Sequence, residues 1–294
     1  MIEKKYKIIK DSQYGYLRVD PLPSKEEVEK YYCEGLHANA FQCDDSSLSI
    51  QQQQKEFYNS YWETICRQVL KHFGRTKDLS VFDIGCGFGN ALQYFKKKGM
   101  KVSGLEPTKK GSSYAQSRGL KVHHCAIEDF SRISEERFDL VTLFIVLEHL
   151  REPAKILINI KNQLLKSDGL LVIDVPNEFN DFQLVADKEY KLNQWWVCPP
   201  NHINYFSASS LENLLKKVGY KIIHKESSFP MELFLLMGDT YVGNQKLGEK
   251  CHKKRILFEH LMRKHKKQEK LTKFYKALAE LDLGRQVTIY AQPK

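Results

Sequence analysis

Asp83, Gly85, Gly87 and Gly89 recur at every second position of VFDIGCGFGN, directly after an apolar run, and their spacing poses the first chemical question of this chain. Glycine lets a backbone turn sharply and approach a ligand, and the amides opening the next helix offer hydrogen bonds to a polar or anionic group. A dinucleotide site requires G-x-G-x-x-G, and Asn90 stands at its third glycine, which argues against a pyrophosphate ligand. Asp83 argues the same way, since a carboxylate beside the turn repels phosphate and suits an ammonium group. Glu106, at the tip of the following strand in VSGLEP, is placed to accept hydrogen bonds from both hydroxyls of a ribose. The ligand implied is an adenosine with a charged amino-acid tail in place of a diphosphate.

Two histidines are candidates for handling an acceptor's proton. His149, in LEHL after the fourth strand of the core, lies at the carboxyl end of the sheet, and imidazole can take a proton near neutral pH. The alternative is a structural histidine at a helix start. His202, in PPNHINYF, follows two prolines that stiffen a loop, where a base or positioning role competes with a loop-fixing hydrogen bond. Trp195 and Trp196, with Tyr190, Phe179 and Phe182, occupy the variable region after the fifth strand, where an α/β enzyme builds its acceptor pocket. Stacking of Trp195 and Trp196 on an acceptor ring is the expectation, with core packing as the alternative. Tyr31, with Tyr32 and Phe41, is assigned to a lid that would exclude water.

These residues need a scaffold. From 79 to 175 the chain alternates strand LSVFDI, helix NALQYFKKKG, strand KVSGLE, helix KKGSSYAQSRG, strand KVHHC, a short helix, strand FDLVTLFIV, helix PAKILINIKNQLLKSDG and strand LLVIDV. Strands separated by helices of this length form βαβ crossovers and a parallel sheet covered on both faces. Gly99, Gly119 and Gly169 are expected as left-handed caps where three of the helices end. A further helix, SASSLENLLKKVG, leads to strand YKIIHKES. The last strand, QVTIYAQ, follows a lysine-rich helical insertion, so the final two strands are expected to pair antiparallel. Ile50, Phe57, Tyr61, Ile65, Val69 and Phe73 mark one side of a long helix expected from Leu48 to Phe73 and ended by Gly74. Earlier still, the strand-like pieces YKIIK and YGYLRV precede a helix opened by the capping box of Ser24 and Glu27.

In order and spacing, DIGCGFGN, GLEP, AIEDF, FDLVTLFIVLEHLREP and GLLVIDVPN resemble the motif series of class I S-adenosylmethionine-dependent methyltransferases. HINYFSASSLENLLKKVGY is similar to a stretch of the branch that includes ubiquinone-biosynthesis O-methyltransferases and methyltransferases of surface-sugar pathways. The resemblance implies a Rossmann-like α/β fold: a seven-stranded, mostly parallel sheet with an antiparallel last strand, an N-terminal helical appendage and a helical insertion before the last strand. It implies S-adenosyl-L-methionine as cofactor and S-adenosyl-L-homocysteine as product. Residue by residue, Asp83, Gly85, Gly87 and Gly89 would hold the methionine moiety, and Glu106 the ribose with Pro107 beside it. Ala126 and Ile127 would border the adenine, and Phe144 would lie under the cofactor. Many relatives carry an acid at the position of Ala126, so Glu128 or a backbone carbonyl must meet the adenine amino group here. Glu148, His149 and His202 offer oxygen and nitrogen ligands suited to magnesium or zinc. Metal-dependent relatives carry a further glutamate where Ile145 stands, however, and no metal is expected.

Residues 1–47 are read as an appendage or lid, 48–230 as the cofactor-binding core, 231–283 as the helical insertion and 284–294 as the last strand. Lys and Arg number 46 against 36 Asp and Glu, a net charge of +10 that suits an anionic acceptor such as a nucleotide sugar. The surplus concentrates in EKCHKKRILFEHLMRKHKKQEKLTKFYK, where Ile256, Leu257, Leu261 and Leu271 describe an amphipathic helix with a solvated lysine face. Seven cysteines without a CxxC pair argue against a disulfide framework. No apolar run reaches membrane length, and a cytoplasmic protein without a membrane span is expected. The expected reaction is methylation of a small acceptor, a sugar or nucleotide-linked sugar hydroxyl of surface polysaccharide biosynthesis, with no nucleic-acid partner. Two alternatives stay open: an RNA methyltransferase docking through the basic insertion, and a non-catalytic cofactor-binding partner of another enzyme.

Overall fold

Apolar strands that alternate with helices must be covered on both faces, and this requirement governs the central sheet. The computed structural model describes residues 6–28, 54–132 and 136–294. Within them the strands are β1 (Lys7–Lys10), β2 (Leu17–Asp20), β3 (Ser80–Ile84), β4 (Lys101–Glu106), β5 (Lys121–His124), β6 (Phe138–Phe144), β7 (Leu165–Pro176), β8 (Asn204–Tyr205), β9 (Tyr220–Ser227) and β10 (Gln286–Pro293). The helices are α1 (Lys55–Phe73), α2 (Asn90–Lys97), α3 (Lys109–Ser117), α4 (Pro153–Asn159), α5 (Asp181–Tyr190), α6 (Ala208–Lys217), α7 (Glu232–Leu236), α8 (Gln245–Lys264) and α9 (Gln268–Glu280).

Seven strands form one sheet in the order β5-β4-β3-β6-β7-β10-β9. The pairs from β5 through β7 are parallel, while β10 runs antiparallel to both β7 and β9. The mostly parallel sheet with its reversed last strand is thus the fold expected from the sequence. One face packs on α1 and α2 through Ile65, Val69, Ala91 and Phe95 against Val81, Leu140 and Val172. The other packs on α4 and α6 through Ile156, Leu157, Leu211 and Leu214 against Phe82, Ile84, Val141 and Ile173. The side-chain period of two therefore sends Asp83 to the face shared with α1, next to its buried neighbours Phe82 and Ile84 on the opposite one.

The helix predicted through Gly169 ends earlier. Helix α4 passes into a π-helical turn, Ile160–Leu164, and the chain is already a strand at Leu165. Phe138 pairs with Leu165 and Leu140 with Leu170, so residues 166–169 bulge out of the ladder and Gly169 caps no helix. Leu164, closing the π-helical turn, and Leu165, paired in the strand, are both buried, so the helix ends where both side chains reach the core. Gly99 and Gly119 do take left-handed backbones just past their helices.

Strands β1 and β2 form a hairpin whose second strand pairs with β8, giving a small separate sheet. Its core is Val19, Trp196, Ile203 and Tyr205, with Tyr6, Ile8 and Trp195 packed against them. The capping box is present: the Ser24 amide donates to Glu27 Oε2 at 2.8 Å, and the Glu27 amide donates to Ser24 Oγ at 3.1 Å. Tyr31, Tyr32, Phe41 and Ile50 lie outside the described residues. Helices α7, α8 and α9 fill the excursion between β9 and β10, with α9 against β9. No helix among the described residues is long and apolar enough to cross a membrane.

Trp196 is 3% exposed and fills the space under the small sheet. Trp196→Ala is expected to lower unfolding stability by about 3–5 kcal/mol, measured as a urea or guanidinium midpoint shift, with cofactor affinity at most weakly affected.

Candidate active site

The turn from β3 into α2 is shaped by close approach. Gly85, Gly87 and Gly89 all have left-handed backbones, with φ of 71°, 53° and 72°. A Cβ on Gly85 would stand 2.6 Å from Val146, and one on Gly89 would stand 2.5 Å from Leu120. The amides of Gly85 and Cys86 both donate to the Leu105 carbonyl, at 2.9 and 3.0 Å, drawing the turn over the end of β4. Gly89 therefore serves helix-to-sheet packing and does not border the cavity, whereas Gly85 and Gly87 do.

Two buried carboxyl groups flank this turn. Asp83 accepts a hydrogen bond from Thr142 Oγ1 at 2.6 Å. Burial lifts its pKa to about 7, opposed by the Thr142 bond and reinforced by Glu106. Glu106 accepts from the Gly87 amide at 2.8 Å through Oε2, and through Oε1 from the Thr108 amide at 2.9 Å and the Thr108 hydroxyl at 2.6 Å. Burial raises its pKa too, against the pull of these bonds. Glu106 thereby ties the glycine turn to the β4 tip, and its remaining lone pairs face the cavity.

That cavity is about 700 Å³ in volume. It is bordered by Asp83, Gly85, Gly87, Glu106, Pro107, Ala126, Ile127, Glu128 and Phe144, so nine of the cofactor candidates meet in one place. Helix α1 supplies the facing wall with Phe57, Tyr58, Tyr61 and Trp62, and Tyr61 meets Phe144 edge-on at 6.0 Å.

Sequence reasoning missed the far end. Asp174, Thr288 and Glu226 stand side by side on β7, β10 and β9 and border the same cavity. Thr288 Oγ1 donates to Asp174 Oδ1 at 2.7 Å, and Tyr290 donates to Glu226 Oε1 at 3.1 Å. Burial lifts the Asp174 pKa to about 7, with Thr288 and Tyr61 opposing. The basic insertion completes this wall. Tyr275 of α9 donates to Glu259 Oε1 at 2.9 Å, and Arg263 of α8 donates to Glu259 Oε2 at 3.0 Å. Those side chains face inward; of the apolar face expected for an amphipathic helix, Leu271 is buried as required, whereas Leu257 and Leu261 are exposed. A usable signal existed for two of them: Asp174 and Thr288 are polar residues within otherwise apolar runs, and such groups are buried only when partnered.

The histidines stand together. His149 ends a 3₁₀ turn, Leu147–His149, after β6; its Nδ1 lies 2.7 Å from the Asn201 carbonyl oxygen, and it borders the cavity. His202 sits behind it, with ring centroids 5.1 Å apart, and its Nδ1 is 3.2 Å from Glu178 Oε1. Burial alone would push the His202 pKa down, but hydrogen bonds to Cys198 and Glu178 outweigh it and lift it to about 11. Glu148 is buried beside both, its Oε1 3.6 Å from His149 Nε2. Burial carries its pKa to about 8, with His202 opposing. Both Glu148 oxygens lack a hydrogen-bond partner.

Trp195 and Trp196 do not reach the cavity. Their rings meet edge-on at 4.7 Å, and Trp196 also packs on Phe179 at 5.4 Å, inside the core of the small sheet. The acceptor-stacking expectation for this pair gives way to core packing, because both rings, with Phe179, cover the sheet formed by β1, β2 and β8.

The family described as methyltransferase domain matches residues 24–225, more than half of the chain, and the chain belongs to that family. It is 30% identical over 166 residues to the tRNA U34 carboxymethyltransferase of Glaesserella parasuis, covering 52% of this chain and 49% of that protein. It is 33% identical over 107 residues to the ubiquinone biosynthesis O-methyltransferase of Actinobacillus pleuropneumoniae, covering 33% of this chain and 45% of that protein. The chain thus spans about half the length of these curated relatives. In fold it is similar to an S-adenosylmethionine-dependent methyltransferase from Archaeoglobus fulgidus, with a TM-score of 0.54 and 16% identity over 85% of this chain and 100% of that one. It is also similar to magnesium protoporphyrin IX methyltransferase from Synechocystis with bound S-adenosylhomocysteine, with a TM-score of 0.50 and 16% identity over 69% and 92% of the two chains. Family and fold together make this a class I S-adenosylmethionine-dependent methyltransferase, and S-adenosylmethionine is its cofactor.

A raised carboxyl pKa has a defined pH signature. Between an unfolded value of 3.8 and a folded value of about 7, native Asp83 holds a proton that the unfolded chain has released. Its contribution to stability therefore falls as pH rises through that window. Asp83→Asn is expected to flatten the decline in urea midpoint between about pH 4 and 7 in the cofactor-free protein.

Proposed function

We propose that the protein transfers the methyl group of S-adenosylmethionine to a hydroxyl of a small acceptor, a sugar or nucleotide-linked sugar of a surface-polysaccharide pathway. The observation that carries this reading is one continuous cavity, reaching from the Asp83 and Glu106 crevice past His149 to the polar wall of β9, β10, α8 and α9. Its volume of about 700 Å³ suits small molecules. The acceptor end joins the Tyr275 ring to the carboxylates of Glu226 and Glu259, the amide of Gln268, the hydroxyl of Thr272 and the guanidinium of Arg263. Such a mixture serves a polyhydroxylated ring, with Arg263 available to an acidic group on it.

Methyl transfer is an in-line displacement. The acceptor oxygen attacks the methyl carbon, the carbon–sulfur bond breaks with its electron pair on sulfur, and the hydroxyl proton leaves. Orientation supplies much of the acceleration. Asp83, Gly85 and Gly87 are assigned to the methionine end, Glu106 to the ribose, and Ala126, Ile127 and Glu128 to the adenine. His149, which borders the cavity, and His202 behind it are assigned to activating the acceptor oxygen.

A second reading, methylation of RNA, is favoured by the tRNA-modifying relatives and by a groove at the β9 edge. That groove is bordered by Lys216, Lys221, Lys225, Lys276 and Lys294. RNA binding that weakens steeply with salt would support it, and no binding at low salt would remove it.

Glu106→Ala is expected to weaken S-adenosylmethionine binding by about tenfold or more in calorimetry while circular dichroism stays unchanged. Unaltered affinity would sink the cofactor assignment. His149→Ala is expected to lower kcat by about 10²–10⁴ with little change in cofactor affinity.

A further inference from the structure

We infer that Glu148, His149 and His202 form a binding site for a first-row divalent cation, zinc or manganese, at the acceptor end of the cavity. One donor atom from each residue lies within 4.8 Å of the other two. Nitrogen and oxygen ligands held by one ion at about 2.0–2.2 Å stand about 3.3–4.3 Å apart, so the three close on an ion with shifts below about an ångström. His149 Nε2 and Glu148 Oε1, separated by 3.6 Å, already have that spacing.

Three further observations point to a cation. Glu148 is 1% exposed, and neither of its oxygens has a hydrogen-bond partner. A carboxyl group buried in that state either keeps its proton or meets positive charge. Both imidazoles are held as ligating imidazoles are, by a hydrogen bond on the opposite nitrogen: His149 Nδ1 at the Asn201 carbonyl, 2.7 Å, and His202 Nδ1 at Glu178, 3.2 Å. Finally, Glu148 and Glu178 are both buried, and among the described residues their ion pairs are with these histidines alone.

Two imidazoles and one carboxylate are the donor set of zinc, manganese and ferrous iron rather than of magnesium or calcium, which prefer all-oxygen shells. Three protein ligands leave coordination positions open. His149 borders the cavity, so an open position can take an acceptor oxygen and make its hydroxyl more acidic, the proton passing to water. This last step rests on the proposed methyl-transfer reading; the site itself does not. Ile145, the basis for expecting no metal, supplies no donor, and the set draws instead on His202, which is distant in sequence and oriented by Glu178.

The test uses full-length protein dialysed against chelator and titrated with zinc or manganese by calorimetry, with elemental analysis for stoichiometry. One ion per chain is expected. Glu148→Gln, which keeps the side-chain shape, and His149→Ala should each weaken binding by about tenfold or more. Cys198→Ser should bind as the parent does. A metal-dependent rise in melting temperature, lost in Glu148→Gln, gives a second readout should His149→Ala fail to fold. Absence of stoichiometric binding, or a Glu148→Gln protein that binds like the parent, overturns the site. Loss of binding in Cys198→Ser alone overturns it too. S-adenosylmethionine titrated into the same metal-free samples separates the two ideas: a protein that binds metal but no cofactor refutes the methyl-transfer reading and leaves the metal site standing.

Discussion

A carboxyl group buried at the end of the central strand is the constraint around which the cofactor crevice is organised. Asp83 sits on β3 between β4 and β6, and Thr142 on β6 holds it through a 2.6 Å hydrogen bond. Keeping it there requires the next residues to turn at once, with Gly85 against Val146 and with two amides on the Leu105 carbonyl. The turn in turn presents the Gly87 amide to Glu106, so the two acids are linked through a single loop. Ligand charge and ligand shape are thus selected by the same few bonds. An ammonium-bearing nucleoside relieves both buried acids, and a diphosphate would aggravate them.

The opposite end of the cavity is made differently. No glycine turn positions it; instead three neighbouring strands place Asp174, Thr288 and Glu226 in one row. The insertion then seals the row with Tyr275, Glu259 and Arg263. Because β10 returns antiparallel between β7 and β9, a chain segment remote in sequence borders the same space as the cofactor motifs. The lining supplied by the insertion is therefore independent of the crevice, which depends on β3, β4 and β6.

The small sheet explains the geometry of the histidine loop in physical terms. Trp196 and Tyr205 anchor the segment on β2, and Tyr205 donates to the His202 carbonyl at 3.0 Å. The Ile203 amide donates to the Glu148 carbonyl at 3.0 Å, tying that segment to the turn after β6. His202, Glu148 and His149 are therefore held by backbone bonds between segments more than fifty residues apart.

How much of this was legible depended on the range of the interaction. The βαβ alternation, the glycine turn, the Glu106 position and the antiparallel last strand follow from local spacing, since period and turn chemistry are local properties. Gly169 misled because strand pairing at Leu165 overrode a local stop signal. Trp196 misled because an exposed-looking aromatic pair proved to be the cover of a sheet formed by residues nearly two hundred positions earlier. By itself the sequence determined the fold and the kind of cofactor, because both rest on contiguous motifs. Only the tertiary structure decided which polar residues border the far end of the cavity and that Glu148, His149 and His202 converge. Burial and convergence arise from contacts between distant strands, and no single stretch of the chain contains them.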